Sequence, residues 1–314
     1  MSFSSETKVE LCTSDPDKRC CMLAEITGLL RCCGSVRFVG LNKVAYRLVT
    51  ENAAVARKII RLMKEYFDIR MELNISKSMV LKKNHLYEMI ITEDMRCEAI
   101  LRETGILRVR NGFNNFSFEV DESIIKKKCC KRAFLRGVFL GSGSITDPGK
   151  GYHLEIVSSS PEFARDIQKV MNQFHLGAKE MQRKDTTVVY LKDSNMISDF
   201  LGIIGASKSL LELENTKAMR ETKNRVNRTY NCDMANMEKT ISAAQRSIEA
   251  IKKIQRTKGL DWLPPKLQEI AMLRLEEPES SLADLGQQLD PPLGKSGVTH
   301  RLAKIEEMAA KIKE

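Results

Sequence analysis

Between positions 18 and 205 the apolar residues follow two rhythms in alternation, one helical and one of period two, and the whole alternation is written twice. Leu23, Ile26, Leu29, Leu30 and Cys33 fall at helical spacing and predict a helix over 18–33. Gly28 lies inside it, at a cost of about 1 kcal/mol relative to alanine, which is the mark of a second backbone passing close by. After Gly34 two stretches alternate, Val36–Leu41 and Ala45–Thr50, with Asn42-Lys43 as a tight connection. Asn52 is placed to cap a helix over 53–67, whose buried stripe is Val55, Ile59, Leu62, Met63 and Phe67. Strands near 69–76 and 86–92 follow, and Asp94 starts a helix holding Cys97, Ile100 and Leu101. The order is α-β-β-α-β-β-α.

The second copy opens with Phe134–Ile145. Gly137 and the triplet Gly143-Ser144-Ile145 repeat the spacing of Gly28 and Gly34-Ser35-Val36. Between the copies, residues 105–128 form a connector with turn signals at Asn111-Gly112 and Asn114-Asn115 and a strand-like alternation over Phe116–Val120. Strands near 144–147 and 153–158 are followed by a helix with Pro161 at its first position. Strands near 177–182 and 187–191 and a helix from Asn195 to about Ile204 complete it. Leu48-Val49-Thr50 aligns with Ile156-Val157-Ser158, and Ala56-Arg57 with Ala164-Arg165. The duplication predicts a pseudo-twofold domain over 18–216, with halves at about 18–107 and 122–207. Its two glycine-bearing helices touch at the centre and its sheets form one surface.

Charge and cysteine content narrow the function. The net charge is +10, which favours an acidic partner. Residues 217–258 carry 11 Lys/Arg against 4 Asp/Glu, while residues 259–314 carry 7 against 10. Neither an apolar run of about 18 residues nor a signal pattern occurs, so the expected location is cytoplasmic and nucleoid-associated, with no membrane partner. The nine cysteines include three adjacent pairs, Cys20-Cys21, Cys32-Cys33 and Cys129-Cys130. An odd count in adjacent pairs fits reduced thiols. A zinc site calls for C-x-x-C pairs or added histidines, so neither metal nor cofactor is expected.

The paired helices resemble the LAGLIDADG motifs of homing endonucleases over roughly 18–205. The resemblance implies that Gly28 and Gly137 let the helices touch, that the sheets saddle a DNA duplex, and that an acidic residue before the final glycine of each motif holds the divalent metals. Those positions hold Cys33 and Ser142, and the neighbouring alternatives hold Arg31 and Leu140. Hard cations need carboxylate oxygens, so the resemblance carries the fold while the residues speak against cleavage. Lys126, Lys127, Lys128, Lys131, Arg132 and Arg136 are candidate phosphate contacts, against the plainer reading of a solvated face.

In 217–258, Asn224–Arg228 and Asn231–Asn236 read as turn-like, and Met237, Ile241, Ala244, Ile248 and Ile251 then give a linker helix with a narrow apolar seam. Arg225, Arg228, Lys239 and Arg246 are candidate backbone contacts. Residues 259–314 predict three helices, over about 265–276, over 282–289 capped by Ser281, and from a cap at Ser296 onward. With Val298, Leu302 and Ile305 inward, Ser296, His300, Ala303 and Lys304 face out, with Thr299 and Arg301 on the flanks. This is a helix-turn-helix pattern whose outward Ser296, Thr299, His300, Arg301 and Lys304 suit base edges and phosphates. The plainer alternative is a three-helix docking module.

The combination resembles the WhiA family of bacterial sporulation and cell-division regulators. The residues that carry it are Asn224–Asn236, Lys239, Ala243-Ala244, Ser281–Gly286 and Lys295–Leu302. The resemblance implies an α+β fold, a duplicated LAGLIDADG-like α-β-β-α-β-β-α domain followed by an all-α helix-turn-helix domain, after an N-terminal segment over 1–17. It implies a non-catalytic DNA-binding transcriptional regulator of cell division, chromosome segregation or sporulation. Its partners would be double-stranded promoter DNA and an RNA polymerase sigma factor or another regulator. A residual metal-dependent endonuclease and an RNA-binding splicing factor are the rival readings.

Overall fold

The computed structural model describes residues 2–38, 44–77, 85–110 and 113–312, so the turns expected at Asn42-Lys43 and Asn111-Gly112 lie outside the described residues. Two compact units are present, residues 1–220 and 221–314.

The first unit opens with a helix absent from the sequence expectation. Ser2 accepts a hydrogen bond from the Ser5 N–H and starts α1 (Phe3–Cys12). Its buried face is Phe3, Thr7, Leu11 and Cys12. A threonine in the middle of that four-residue stripe hides it from hydropathy, and the Thr7 hydroxyl is satisfied by donating to the Phe3 carbonyl.

The two copies of the repeat fold alike. The first is α2 (Arg19–Cys33), β1 (Gly34–Phe38), β2 (Val44–Thr50), α3 (Ala53–Phe67), β3 (Leu73–Lys77), β4 (His85–Ile91) and α4 (Cys97–Glu103). A hairpin follows, β5 (Leu107–Arg110) and β6 (Phe113–Phe116). The second copy is α5 (Lys128–Ser142), β7 (Gly143–Ile145), β8 (Leu154–Ser158), α6 (Pro161–Asn172), β9 (Lys179–Arg183), β10 (Thr186–Leu191) and α7 (Ser194–Ile204). Both sheets are antiparallel, with order β1-β2-β4-β3 in one and β7-β8-β10-β9 in the other. Even the register repeats, with Gly34 opposite Leu48 and Gly143 opposite Ile156. The strand expected over Phe116–Val120 is corrected. Phe116 ends β6, and the Ser117, Phe118 and Glu119 carbonyls accept from Arg31 instead of from a neighbouring strand.

Asn52, Ser160 and Asp193 cap α3, α6 and α7 through side-chain oxygens. Each helix lays its apolar stripe on the core, which is continuous through both halves and includes Leu30, Leu48, Phe134, Phe139 and Phe200. At the centre α2 packs on α5. A Cβ built on Gly28 would lie 2.7 Å from the Phe134 carbonyl oxygen, and one on Gly137 would lie 2.2 Å from that of Glu25. Neither position accepts a side chain while the backbones stay in contact.

Charge is buried beside this seam. Lys58 and Glu25 are both fully buried, 3.0 Å apart. Lys58 also donates to the Leu11 and Ser14 carbonyls and pairs with Asp15 at 3.3 Å. Arg136 donates to the other Glu25 oxygen through Nε at 2.8 Å and through a terminal nitrogen at 2.7 Å. Paired this way, neither charge is left bare in the interior.

The last long helix, α8, runs without a break from Ser207 to Thr257. The turns expected at Asn224–Arg228 and Asn231–Asn236 are therefore corrected. These residues are almost all exposed, and a fully solvated helix carries no apolar period to announce it. At its start the Glu10 carboxylate accepts from the Lys208 and Ser209 N–H groups, an acidic group placed at a helix N-terminus.

The second unit combines the rest of α8 with α9 (Pro265–Glu276), α10 (Leu282–Gln287) and α11 (Lys295–Ala310). Ile251 and Ile254 of α8 join Leu267, Ile270, Leu285, Val298, Leu302 and Ile305 in one core. The end of the linker helix is thus part of the helical domain. No described helix is long and apolar enough to cross a membrane.

Candidate nucleic-acid interface

The motif positions expected to hold metal-binding acids lie at the C-terminal ends of the two glycine-bearing helices. Cys32, Cys33 and Ser142 meet at the C-terminal ends of α2 and α5, and the Ser142 hydroxyl donates to the Cys32 sulfur at 3.3 Å. Burial pushes the Cys32 thiol up to about 11 and the Cys33 thiol up to about 12, so both stay neutral at pH 7. Lys8 of α1 reaches the same spot, its ammonium 6.0 Å from the Phe139 ring centre and half-buried near Cys32 and Cys33, and desolvation holds it below the usual lysine value. Two neutral thiols, a hydroxyl and a cation form a poor donor set for a hard divalent ion. Arg31 is also occupied. Its guanidinium donates to the carbonyls of Gly105, Ser117, Phe118 and Glu119 and holds the connector in place.

Two of the candidate phosphate contacts are engaged within the fold, Arg136 with its side chain mostly buried and Arg132 still exposed. Arg132 donates to the Ile203 and Gly202 carbonyls at the end of α7. Arg136 is held by Glu25 and the Ile204 carbonyl. A guanidinium satisfied in this way is a brace between helices.

The second unit has the more open arrangement. Val298, Leu302 and Ile305 are buried on one side of α11, while Ser296, Thr299, His300, Ala303 and Lys304 are exposed on the other. The expected cap at Ser296 is corrected. Gly294 occupies the cap position without a side-chain bond, which leaves Ser296 in the first turn with its hydroxyl outward. Lys304 pairs on the surface with Glu307 at 2.8 Å, an exposed pair of little strength.

Arg301 belongs elsewhere. It donates to the Lys266 carbonyl at 3.1 Å and lies 3.7 Å from Glu269, with its side chain 14% exposed. It ties α11 to α9 and leaves the outward set. The loop between α10 and α11 is shaped at Gly286, where a Cβ would lie 2.1 Å from the Leu293 carbonyl oxygen and whose own carbonyl accepts from the Leu293 N–H at 2.8 Å. This contact brings the longer turn back onto α10. Arg274, buried and donating to the Pro278 and Ser280 carbonyls, closes the α9–α10 loop. Along α8, Arg225, Arg228, Lys239 and Arg246 are all exposed.

One cluster is assembled only by the fold, from two of the adjacent cysteine pairs read above as separate reduced thiols. Cys20, Cys21, Cys129 and Cys130 converge at the N-terminal ends of α2 and α5, with all four sulfurs within 4.8 Å of one another. The shared Cys-Cys pair at the same place in each repeat was the available signal.

Comparisons with known proteins cover the whole architecture. Residues 19–107 match the WhiA N-terminal LAGLIDADG-like domain, residues 131–223 the WhiA LAGLIDADG-like domain, and residues 226–309 the WhiA C-terminal HTH domain. The chain is 45% identical over 313 residues to the probable cell division protein WhiA of Clostridium perfringens (strain 13 / Type A), covering 100% of this chain and 99% of that one. It is 41% identical over 314 residues to the protein of the same name from Clostridium acetobutylicum, with the same coverage. The crystal structure of full-length DUF199/WhiA from Thermatoga maritima matches with a TM-score of 0.59 at 26% identity, over 100% of both chains.

Proposed function

The chain belongs to the WhiA family, and from that premise we propose that it is a non-catalytic transcriptional regulator that binds promoter DNA and acts in cell division. The observation that carries this reading is the two-faced α11, apolar toward α9 and α10 and presenting Ser296, Thr299, His300 and Lys304 outward. Small hydroxyls, an imidazole and an ammonium along the start of a recognition helix suit the donor and acceptor pattern of the major groove. Arg225, Arg228, Lys239 and Arg246 supply attraction to the phosphate backbone, which the net-acidic stretch over 259–314 lacks. The cell-division role rests on the names of the relatives. Neutral thiols and Lys8 at the centre of the repeat support an inherited scaffold over a residual nuclease.

Fluorescence anisotropy on duplex fragments from genome-wide selection tests the reading. His300→Ala with Lys304→Ala should weaken specific binding by about 1–3 kcal/mol per lost base contact, with binding to random duplex little changed. Arg225→Ala and Arg228→Ala should instead weaken all duplexes alike and flatten the salt dependence by about 0.9 per lost phosphate contact. Unchanged specific binding in the α11 variant would remove that helix from the interface. Nicking of supercoiled DNA with Mg²⁺, lost on substituting carboxylates near Cys33 or Ser142, would establish the nuclease reading.

A further inference from the structure

We propose that Cys20, Cys21, Cys129 and Cys130 form a structural tetrathiolate site for a single zinc ion, stapling the N-terminal ends of α2 and α5 across the pseudo-twofold axis. The inference is independent of DNA binding.

The site follows from symmetry. Lys18-Arg19-Cys20-Cys21 occupies the cap and first three positions of α2, and Lys127-Lys128-Cys129-Cys130 occupies the same positions of α5. Because the helices pack side by side with both N-termini together, a Cys-Cys pair at this depth in each half delivers four sulfurs to one point. The adjacent-cysteine spacing looks wrong for zinc only while each pair is imagined chelating alone.

The distances fit one ion. Tetrahedral zinc with Zn–S bonds of about 2.3 Å sets its sulfurs about 3.8 Å apart. All six separations here fall within 4.8 Å, a gap that small rotamer adjustments close. Zinc and iron–sulfur clusters are the usual occupants of a tetrahedral four-sulfur set, and a cluster spreads its cysteines over several iron atoms, so sulfurs this close suit a single ion, for which zinc is the commonest choice. The burial alternates, with Cys21 and Cys130 buried and Cys20 and Cys129 partly exposed. Two ligands are therefore fixed in the core, and two leave a path for the ion to enter.

Charge gives a second, separate reason. Two helix N-termini converge here, neither has a side-chain cap, and neither has an acidic residue in its first turn. Lys18, Arg19, Lys127 and Lys128 add four cations at the same ends. Arg19 lies against the Tyr66 ring and Lys128 against the Phe174 ring, equivalent placements in the two halves. Such a concentration of positive potential is unfavourable without an anion. Binding converts four thiols and Zn²⁺ into a zinc tetrathiolate of charge −2 with release of four protons. The complex would offer sulfur acceptors to the free helix N–H groups and balance the surrounding charge.

The full-length chain, purified under reducing, metal-replete conditions, should carry one zinc per chain by elemental analysis. X-ray absorption at the zinc edge should report four sulfurs at about 2.3 Å. Cobalt(II) substitution should give the charge-transfer and d–d bands of a tetrahedral tetrathiolate. Cys21→Ser with Cys130→Ser should lose the metal, while Cys232→Ser, on exposed α8, should retain it. A wild-type protein without stoichiometric metal overturns the proposal, as does a coordination shell containing nitrogen or oxygen. Cobalt bands that persist in the double variant also overturn it. The wild-type measurements decide the matter even where the double variant does not fold.

Discussion

Replacing Gly137 by alanine isolates the contact on which the first unit depends. The added Cβ would lie 2.2 Å from the Glu25 carbonyl oxygen, with the Glu25 carbonyl carbon at 3.0 Å and its Cα at 3.2 Å. Restoring ordinary contact requires the two backbones to separate by more than 1 Å, roughly the scale at which a packed core resists. Backbone yields less readily than a side-chain tip, and Glu25 is further anchored by Lys58 and Arg136. Overpacking of this kind costs about 3 kcal/mol, the upper end of the usual range. Alanine returns about 1 kcal/mol of helix propensity, leaving a net loss of about 2 kcal/mol. Gly202, inside α7, provides the opposite case. Its Cβ would meet only a Leu210 methyl at 3.8 Å, so Gly202→Ala should gain up to about 1 kcal/mol. Urea unfolding followed by far-UV circular dichroism reads both. Fluorescence of Trp262, the single tryptophan and part of the second unit, reports that unit separately. Equal or greater stability in Gly137→Ala, or shifts of the same sign in both variants, would refute the close-contact account.

On α11, Arg301→Ala should lower stability, by about 1.5–3 kcal/mol for the lost charged hydrogen bond, whereas His300→Ala should leave the unfolding midpoint unchanged and affect only DNA binding. Thermal melts paired with anisotropy separate the two. Lys58→Met should destabilise by about 3–5 kcal/mol, because the fully buried Glu25 loses one of its two cationic partners, which the same urea melts measure. Lys8→Met should act in the other direction. Burial lowers the Lys8 value from 10.5, so the folded state sheds this proton at lower pH than the unfolded chain. Wild-type stability therefore gains a contribution as pH rises from the lowered value toward 10.5. The variant should be more stable at pH 7 and should lack that rise, as urea midpoints across the range will report.

The duplication, its central glycines and the Asn52 cap were legible because their signals are local, whereas the Ser160 and Asp193 caps were not singled out and the helix expected from Asp94 begins at Cys97. Gly28 and Gly137 stand out against apolar helices, and Asn52 stands just before one. The two-faced α11 was legible for the same reason, since burial of Val298, Leu302 and Ile305 fixes its outward residues. What escaped depends on elements distant in sequence. Arg301 resembles a DNA contact until α9 places the Lys266 carbonyl beside it. Glu25 and Lys58 look like surface charges, because only the packing of α1, α2 and α3 encloses them. The Cys-Cys pairs of the two halves meet through helix pairing alone. The middle of α8 reads as turns in sequence because its asparagines suggest them, and no buried stripe in 221–241 contradicts that suggestion.

Lys8 bears on what the ends of α2 and α5 can hold. Aspartates in place of Cys33 and Ser142 would put two carboxylates at the C-terminal ends of α2 and α5. With Lys8 in place, the new carboxylates would find an ammonium already at hand and form an internal salt link in preference to capturing a hydrated ion. The first helix thus supplies a built-in counter-ion to any carboxylate introduced at the ends of α2 and α5. A divalent-ion site engineered at these helix ends must therefore remove Lys8 as well as add acids.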